Sequence, residues 1–145
     1  MRPLVTAHRH DSSRDEQREW MQSLRSKTSY IEFVFNGGED EGHALIGQLA
    51  HLESTRTVGV GPGNGYQRSR PTAVKRRFAY DRDILRAVDA LGGIFPAQAS
   101  TESWTGLGDV DVVFLDSMGR VLGATVTHEG MLITTQNVEH PGRWA

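Results

Sequence analysis

The chain has 145 residues, 37% of them apolar and 23% charged, with a formal net charge of −2 and no cysteine. That length suits one domain with a modest core, and that composition excludes general disorder. The missing cysteines exclude disulfides, thiol nucleophiles and zinc–thiolate sites, and the small net charge excludes a molecule that is polybasic throughout.

Residues 1–12 read as a flexible leader without the apolar core of a signal peptide. No stretch approaches the roughly 18 apolar residues of a membrane helix. A soluble, cytoplasmic protein without a membrane segment is the expectation. Ser12 or Ser13 caps a first helix running to about Ser26, with Trp20, Met21 and Leu24 on one edge. Tyr30–Phe35 alternates, with Ile31, Phe33 and Phe35 on one side, and predicts a strand with a buried face.

Asn36-Gly37-Gly38 breaks that strand. Glu39, Asp40 and Glu41 then open a helix, where the dipole stabilises carboxylates, and Leu45, Ile46, Leu49 and Leu52 form its stripe. Thr57–Gly61 predicts a second strand, parallel to the first through a right-handed crossover. Asp81 caps a third helix with Ile84, Leu85, Val88 and Leu91 inward, ended by Gly92-Gly93. Ile94–Ala97 reads as a short strand, and residues 100–108 as a loop carrying Trp104.

The C-terminal part is the most legible. Val110–Leu115, a turn at Asp116-Ser117-Met118-Gly119, Val121–Thr127, a turn at His128-Glu129-Gly130 and Met131–Thr135 predict an antiparallel meander. Residues 137–145 read as a polar tail. The fold class is α+β: a single domain over residues 13–136, a mixed sheet with three helices mainly on one face, and a C-terminal antiparallel meander.

Charge is unevenly placed. Six basic residues and no acid lie between Ser54 and Tyr80, leaving 10 basic against 18 acidic residues elsewhere. The basic stretch follows Gly59-Val60-Gly61-Pro62-Gly63-Asn64-Gly65. Those glycines recur every second residue, so the third falls out of register with G-x-G-x-x-G, and no Walker lysine follows. Arg68, Arg70, Lys75, Arg76 and Arg77 are the candidate anion-binding residues, for a nucleotide or small-molecule enzyme site over 59–77. With Tyr66, Phe78 and Tyr80 they also suit single-stranded nucleic acid. The acidic remainder would repel a polyanion, which weighs against nucleic acid. A mobile connection leading to a strand edge guarded by Lys and Arg accounts for the same residues.

The six histidines show no metal-ligand spacing, and neither metal nor cofactor is expected. His128 and Glu129 form an acid–base pair only if the fold brings Asp109, Asp111 or Asp116 to them; Asp111, interrupting an apolar strand, either faces solvent, the simpler account, or is buried with a partner. No catalytic residue is assigned. Glu39, Asp40 and Glu41, exposed beside a Gly-Gly turn, and Trp104, a large aromatic in a polar loop, are the candidate partner-binding residues.

The stretch VDVVFLDSMGRVLGATVTHEGMLI resembles the closing hairpin of small cytosolic bacterial immunity proteins, the antidotes to delivered toxins. The resemblance covers about 25 residues plus the acidic, cysteine-free, single-domain α+β build. It implies a non-enzymatic, protein-binding inhibitor that occludes a cognate toxin. The basic segment from Arg68 to Arg77 departs from an all-acidic inhibitor surface.

Overall fold

The structure, a computed structural model, describes residues 5–10, 13–60, 70–94 and 107–138. In chain order the elements are β1 (Val5–His10), α1 (Arg14–Arg25), β2 (Tyr30–Phe35), α2 (Ala44–Gln48), β3 (Thr55–Val58), β4 (Val74–Ala79), α3 (Arg82–Ala90), β5 (Val110–Leu115), β6 (Val121–Val126) and β7 (Met131–Thr135). The strands form one sheet in the order β1-β7-β6-β5-β2-β4-β3. The chain is an α+β domain.

Every bonded strand pair is antiparallel, which corrects the mixed sheet expected from the sequence. β3 does run in the direction of β2, but β4 lies between them. The reason is apolar content. β4 brings Val74 and Phe78 to the main core, and Phe78 packs edge-on against Phe33 with ring centroids 6.0 Å apart. All four β3 residues are exposed. The strand with core side chains takes the inner place and the other becomes the edge.

The helices lie on one face. Trp20, Met21 and Leu24 of α1, Leu45 of α2 and Ile84, Ala87 and Val88 of α3 close over Ile31, Phe33, Phe35, Val112 and Phe114. Trp20 stands edge-on to Phe114 at 5.3 Å, and its indole N–H donates to Thr134 Oγ1 at 3.1 Å. Each fully buried Leu, Ile or Phe in this layer contributes about 2 kcal/mol of transfer free energy. On the opposite face Val34, Ala73, Val113, Leu115 and Ala124 are buried together, beside Val126, Met131 and Ile133.

Local rules set the ends of the elements. Ser13 caps α1 in a full capping box with Glu16, and the Asp81 carboxylate accepts from Asp83 N at the start of α3. At the β5–β6 turn, Asp116 Oδ1 accepts from Met118 N and Arg120 N, each at 2.9 Å. Gly119 takes the left-handed φ of 79° that the turn requires.

Two expectations change here. Val5–His10, assigned to a loose leader, forms a strand on β7, because the meander leaves β7 with an edge to pair. The acidic helix start is also wrong. α2 begins at Ala44, with His43 as its N-cap, and Glu39, Asp40 and Glu41 precede it. The expected strand at 94–97 and the loop at 100–108 fall largely outside the described residues, as does most of the tail.

Candidate functional site

The segment between β2 and α2, residues 36–43, is held at several points. Gly38 has φ 80°, and a Cβ there would stand 2.5 Å from the Thr72 carbonyl oxygen. His43 Nδ1 accepts from Leu45 N at 3.0 Å, so Nε2 carries the proton and donates to the Leu107 carbonyl at 2.8 Å. The His43 ring also packs edge-on against Phe35 at 5.2 Å.

Asp40 is the central anchor. It is 1% exposed. Its Oδ2 accepts from Arg56 Nε at 2.9 Å and Arg76 Nε at 2.7 Å, and its Oδ1 accepts from an Arg56 terminal nitrogen at 3.3 Å. Arg76 also donates to Ser54 Oγ at 3.2 Å. The Arg56 hydrogen bond, joined by that from Arg76, holds the carboxyl well down, from 3.8 to about 2, against the opposing effect of burial. One buried carboxylate therefore ties a loop to two strands and satisfies a cation on the core side of the sheet.

The expected exposed acidic trio is thereby corrected. Asp40 is buried, while Glu39 and Glu41 on either side of it are exposed. Of these two, Glu41 lies close enough to Arg56 of β3 to act on its charge, whereas Glu39 lines a hollow with Leu107, Asp109 and Val110 on the β5 side. Among the described residues β3 is the outer edge of the sheet, and Val58 is 56% exposed there.

The four described candidate anion-binding residues, Arg70, Lys75, Arg76 and Arg77, are not brought together. β4 alternates, so Arg76 points to the helix face and binds Asp40, while Arg77 points the other way and binds Glu32 Oε2 at 3.0 Å. Lys75 is buried on Arg77's face. Arg70 is exposed, 3.7 Å from Asp109. The guarded edge expected for this run is corrected too, since β4 is internal. Arg68 and Trp104 lie outside the described residues.

Asp111 is buried, not outward-facing. Its Oδ2 accepts from Asn36 Nδ2 at 3.1 Å and its Oδ1 from Thr127 N at 2.7 Å. Burial pushes its carboxyl above the ordinary range, and these hydrogen bonds oppose the shift. The Thr127 hydroxyl donates to the Val110 carbonyl at 2.7 Å and lies 2.8 Å from Thr125 Oγ1. The cluster knits β2, β5 and β6 at one sheet end. Asp116 sits at the other end, inside its turn.

Surface hollows lined by described residues include ones of about 190, 260 and 150 Å³, below the roughly 300 Å³ at which small-molecule sites begin. The last lies under the acidic loop, between Glu39, His43 and Asp109. Among the described residues no group of three or more histidines and acids is placed to hold a metal ion. Among them also, no helix is long and apolar enough to cross a membrane.

Sequence reasoning missed Arg56 and the β3 edge. The available signal was an acid between two acids in a glycine-rich turn, followed by arginines in β-branched runs. Such arginines need a buried anion if their strands are to enter a sheet. The chain matches no family model, no curated protein and no solved structure.

Proposed function

We propose that this chain is a non-enzymatic protein-binding domain, an inhibitor of the immunity type that occludes a basic site on a bacterial toxin in the cytoplasm. The observation that supports the reading is the burial of Asp40 under Arg56 and Arg76. It holds the loop still and leaves Glu39 and Glu41 exposed on either side of Asp40. A pre-ordered acidic rim loses little entropy on binding and speeds encounter with a cationic partner.

The nucleotide and nucleic-acid readings of residues 59–77 have less support, because Arg76 and Arg77 are committed to Asp40 and Glu32 on opposite faces. The test is calorimetric titration of the purified chain with the product of the adjacent gene. Absorbance at 260 nm of the chain as isolated provides the control. A one-to-one complex whose association slows several-fold at low salt in the Glu39→Ala/Glu41→Ala variant is expected. A stoichiometric co-purifying nucleotide, or no binding by the neighbouring product, would overturn the proposal.

A further inference from the structure

Lys75 is a buried charge that the fold leaves unanswered. It lies in β4 and is 7% exposed, and among the described residues its ammonium has no acceptor. A lysine is rarely buried without an anion, because the ammonium is costly to desolvate. The acids of β2 and β5 that share its face are already engaged. Glu32 accepts from Arg77 Nε at 3.0 Å, and Asp111 accepts from Asn36 and Thr127.

The register sets further donors around Lys75. Thr57 lies directly across from it on β3, and Thr55 directly across from Arg77. Directly paired residues share a face, with Cβ atoms about 5 Å apart, and Lys75 and Arg77, two positions apart in one strand, share it too. Two cations and two hydroxyls thus occupy the corners of one square, on the face turned away from the helices. The Arg77 side chain is 42% exposed. Its Nε is taken by Glu32, and its terminal nitrogens bond nothing among the described residues. Thr55 and Thr57 are exposed. A hollow of about 260 Å³ opens beside the square, lined by Arg77 and Thr55 with Tyr30, Glu53, Ser54 and Ala79.

The chemistry of the square selects its occupant. Lys75 and Arg77 only donate, and both threonine hydroxyls can donate with them. Glu32 offsets Arg77, and Glu53 stands at the Thr55 end, four residues before Thr57, so the charge of Lys75 remains uncompensated. A tetrahedral oxyanion offers an oxygen to each corner and forms charge-assisted bonds with the two cations.

We infer that Lys75, Arg77, Thr55 and Thr57 form a binding site for a tetrahedral oxyanion of the phosphate class, on the face of β4 opposite to Asp40. The site goes beyond the protein-binding reading and does not depend on it. Inorganic phosphate and the phosphoryl group of a larger ligand share this chemistry. The hollow is ample for the first and leaves room for the organic part of a small ester beside Tyr30.

The probe is inorganic phosphate, titrated into the full chain against chloride at matched ionic strength and followed by thermal unfolding and amide NMR. The midpoint should rise and saturate at millimolar phosphate, with shifts at the Thr55, Thr57, Lys75 and Arg77 amides. Lys75→Met exchanges the ammonium for an apolar group. In chloride it should unfold at least as high as the parent chain, and its phosphate affinity should fall about tenfold, the loss of one charge-assisted hydrogen bond. Thr57→Val, at an exposed strand position, keeps the fold and should weaken binding several-fold. Phenyl phosphate is the second probe. Equal affinity for both probes assigns the site to the free ion. Tighter binding of the ester that Tyr30→Ala abolishes assigns it to a phosphoryl group on a larger ligand.

Stabilisation that does not saturate and persists in Lys75→Met is the general effect of an excluded salt and would overturn the inference. So would shifts that map away from β3 and β4. A Lys75→Met chain that unfolds well below the parent in chloride would overturn it as well, since the ammonium would then be satisfied within the fold.

Discussion

Asp40 and Arg76 lie 36 residues apart in the chain and 2.7 Å apart in the fold. Arg76 sits between Val74 and Phe78 on the face of β4 turned toward the helices. An unpaired guanidinium there would be costly to desolvate. The carboxylate that satisfies it also satisfies Arg56 on the neighbouring strand, so the pair sets both the sheet edge and the loop beside it.

The pH dependence of that pair has a definite sign. A folded-state carboxyl lowered from 3.8 to about 2 adds stability that is fully present above pH 3.8 and lost as pH falls toward 2. At about 1.4 kcal/mol per pH unit, the contribution is about 2 kcal/mol. Asp40→Asn should be destabilised by at least that amount at pH 7, and less so near pH 2. Urea unfolding midpoints across this range check it, and equal destabilisation at both ends would sink the assignment.

Asp111 has the opposite sign. Burial raises its carboxyl, so the folded chain holds a proton that the unfolded chain has lost, and stability falls as pH rises above 3.8. Asp111→Asn should flatten that fall. Asp111→Ala should cost about 2–3 kcal/mol at pH 4, because it orphans Thr127 N and takes one of the acceptors of the Asn36 amide, and less at pH 7, where the buried carboxylate is itself penalised. Thermal unfolding of both variants at pH 4 and pH 7 separates the charge from the hydrogen bonds.

Gly123 lies under α1. A Cβ there would meet Leu24 Cδ1 at 2.6 Å, the Ile133 carbonyl oxygen at 3.0 Å and Trp20 Cζ2 at 3.1 Å. Leu24 can turn aside, but the carbonyl is fixed in the sheet. Gly123→Ala should therefore lower stability by about 1–3 kcal/mol through overpacking, with a blue-shifted or broadened Trp20 emission. An unchanged midpoint would mean that α1 packs less closely on β6.

The α1 cap is a smaller, local test. Ser13→Ala removes the acceptor for Glu16 N and half of the capping box, and should cost about 1 kcal/mol. Ser13→Asp should retain most of the stability, since a carboxylate caps as well and favours the helix dipole. Chemical denaturation of the two variants side by side is sufficient.

Legibility in the sequence followed the range of the controlling interaction. The turn at Asp116–Gly119, the cap at Ser13 and the stripe of α3 were readable because residues within a few positions decide them. β4 was not read as an internal strand. Lys75-Arg76-Arg77 looks like surface until Asp40 and Glu32, at 36 and 45 residues' distance, are placed against it. Glu39, Asp40 and Glu41 looked alike for the same reason. Adjacent acids differ only in what the fold sets beside them, and here two are exposed while the middle one is buried.

By itself, the sequence determined the α+β class, the C-terminal meander, a first helix capped at Ser12 or Ser13, the helix start at Asp81, and the lack of any thiol chemistry. Periodicity, turn residues and caps act over one or two turns of chain. Only the tertiary structure decided which strand lies at the edge, which acid is buried, and which basic residues share a face. Those outcomes follow from strand order and register, which are set by long-range competition for apolar cover and for ion partners. That competition gave β4 the inner position, made β3 the edge among the described residues, and buried Asp40 between the exposed Glu39 and Glu41.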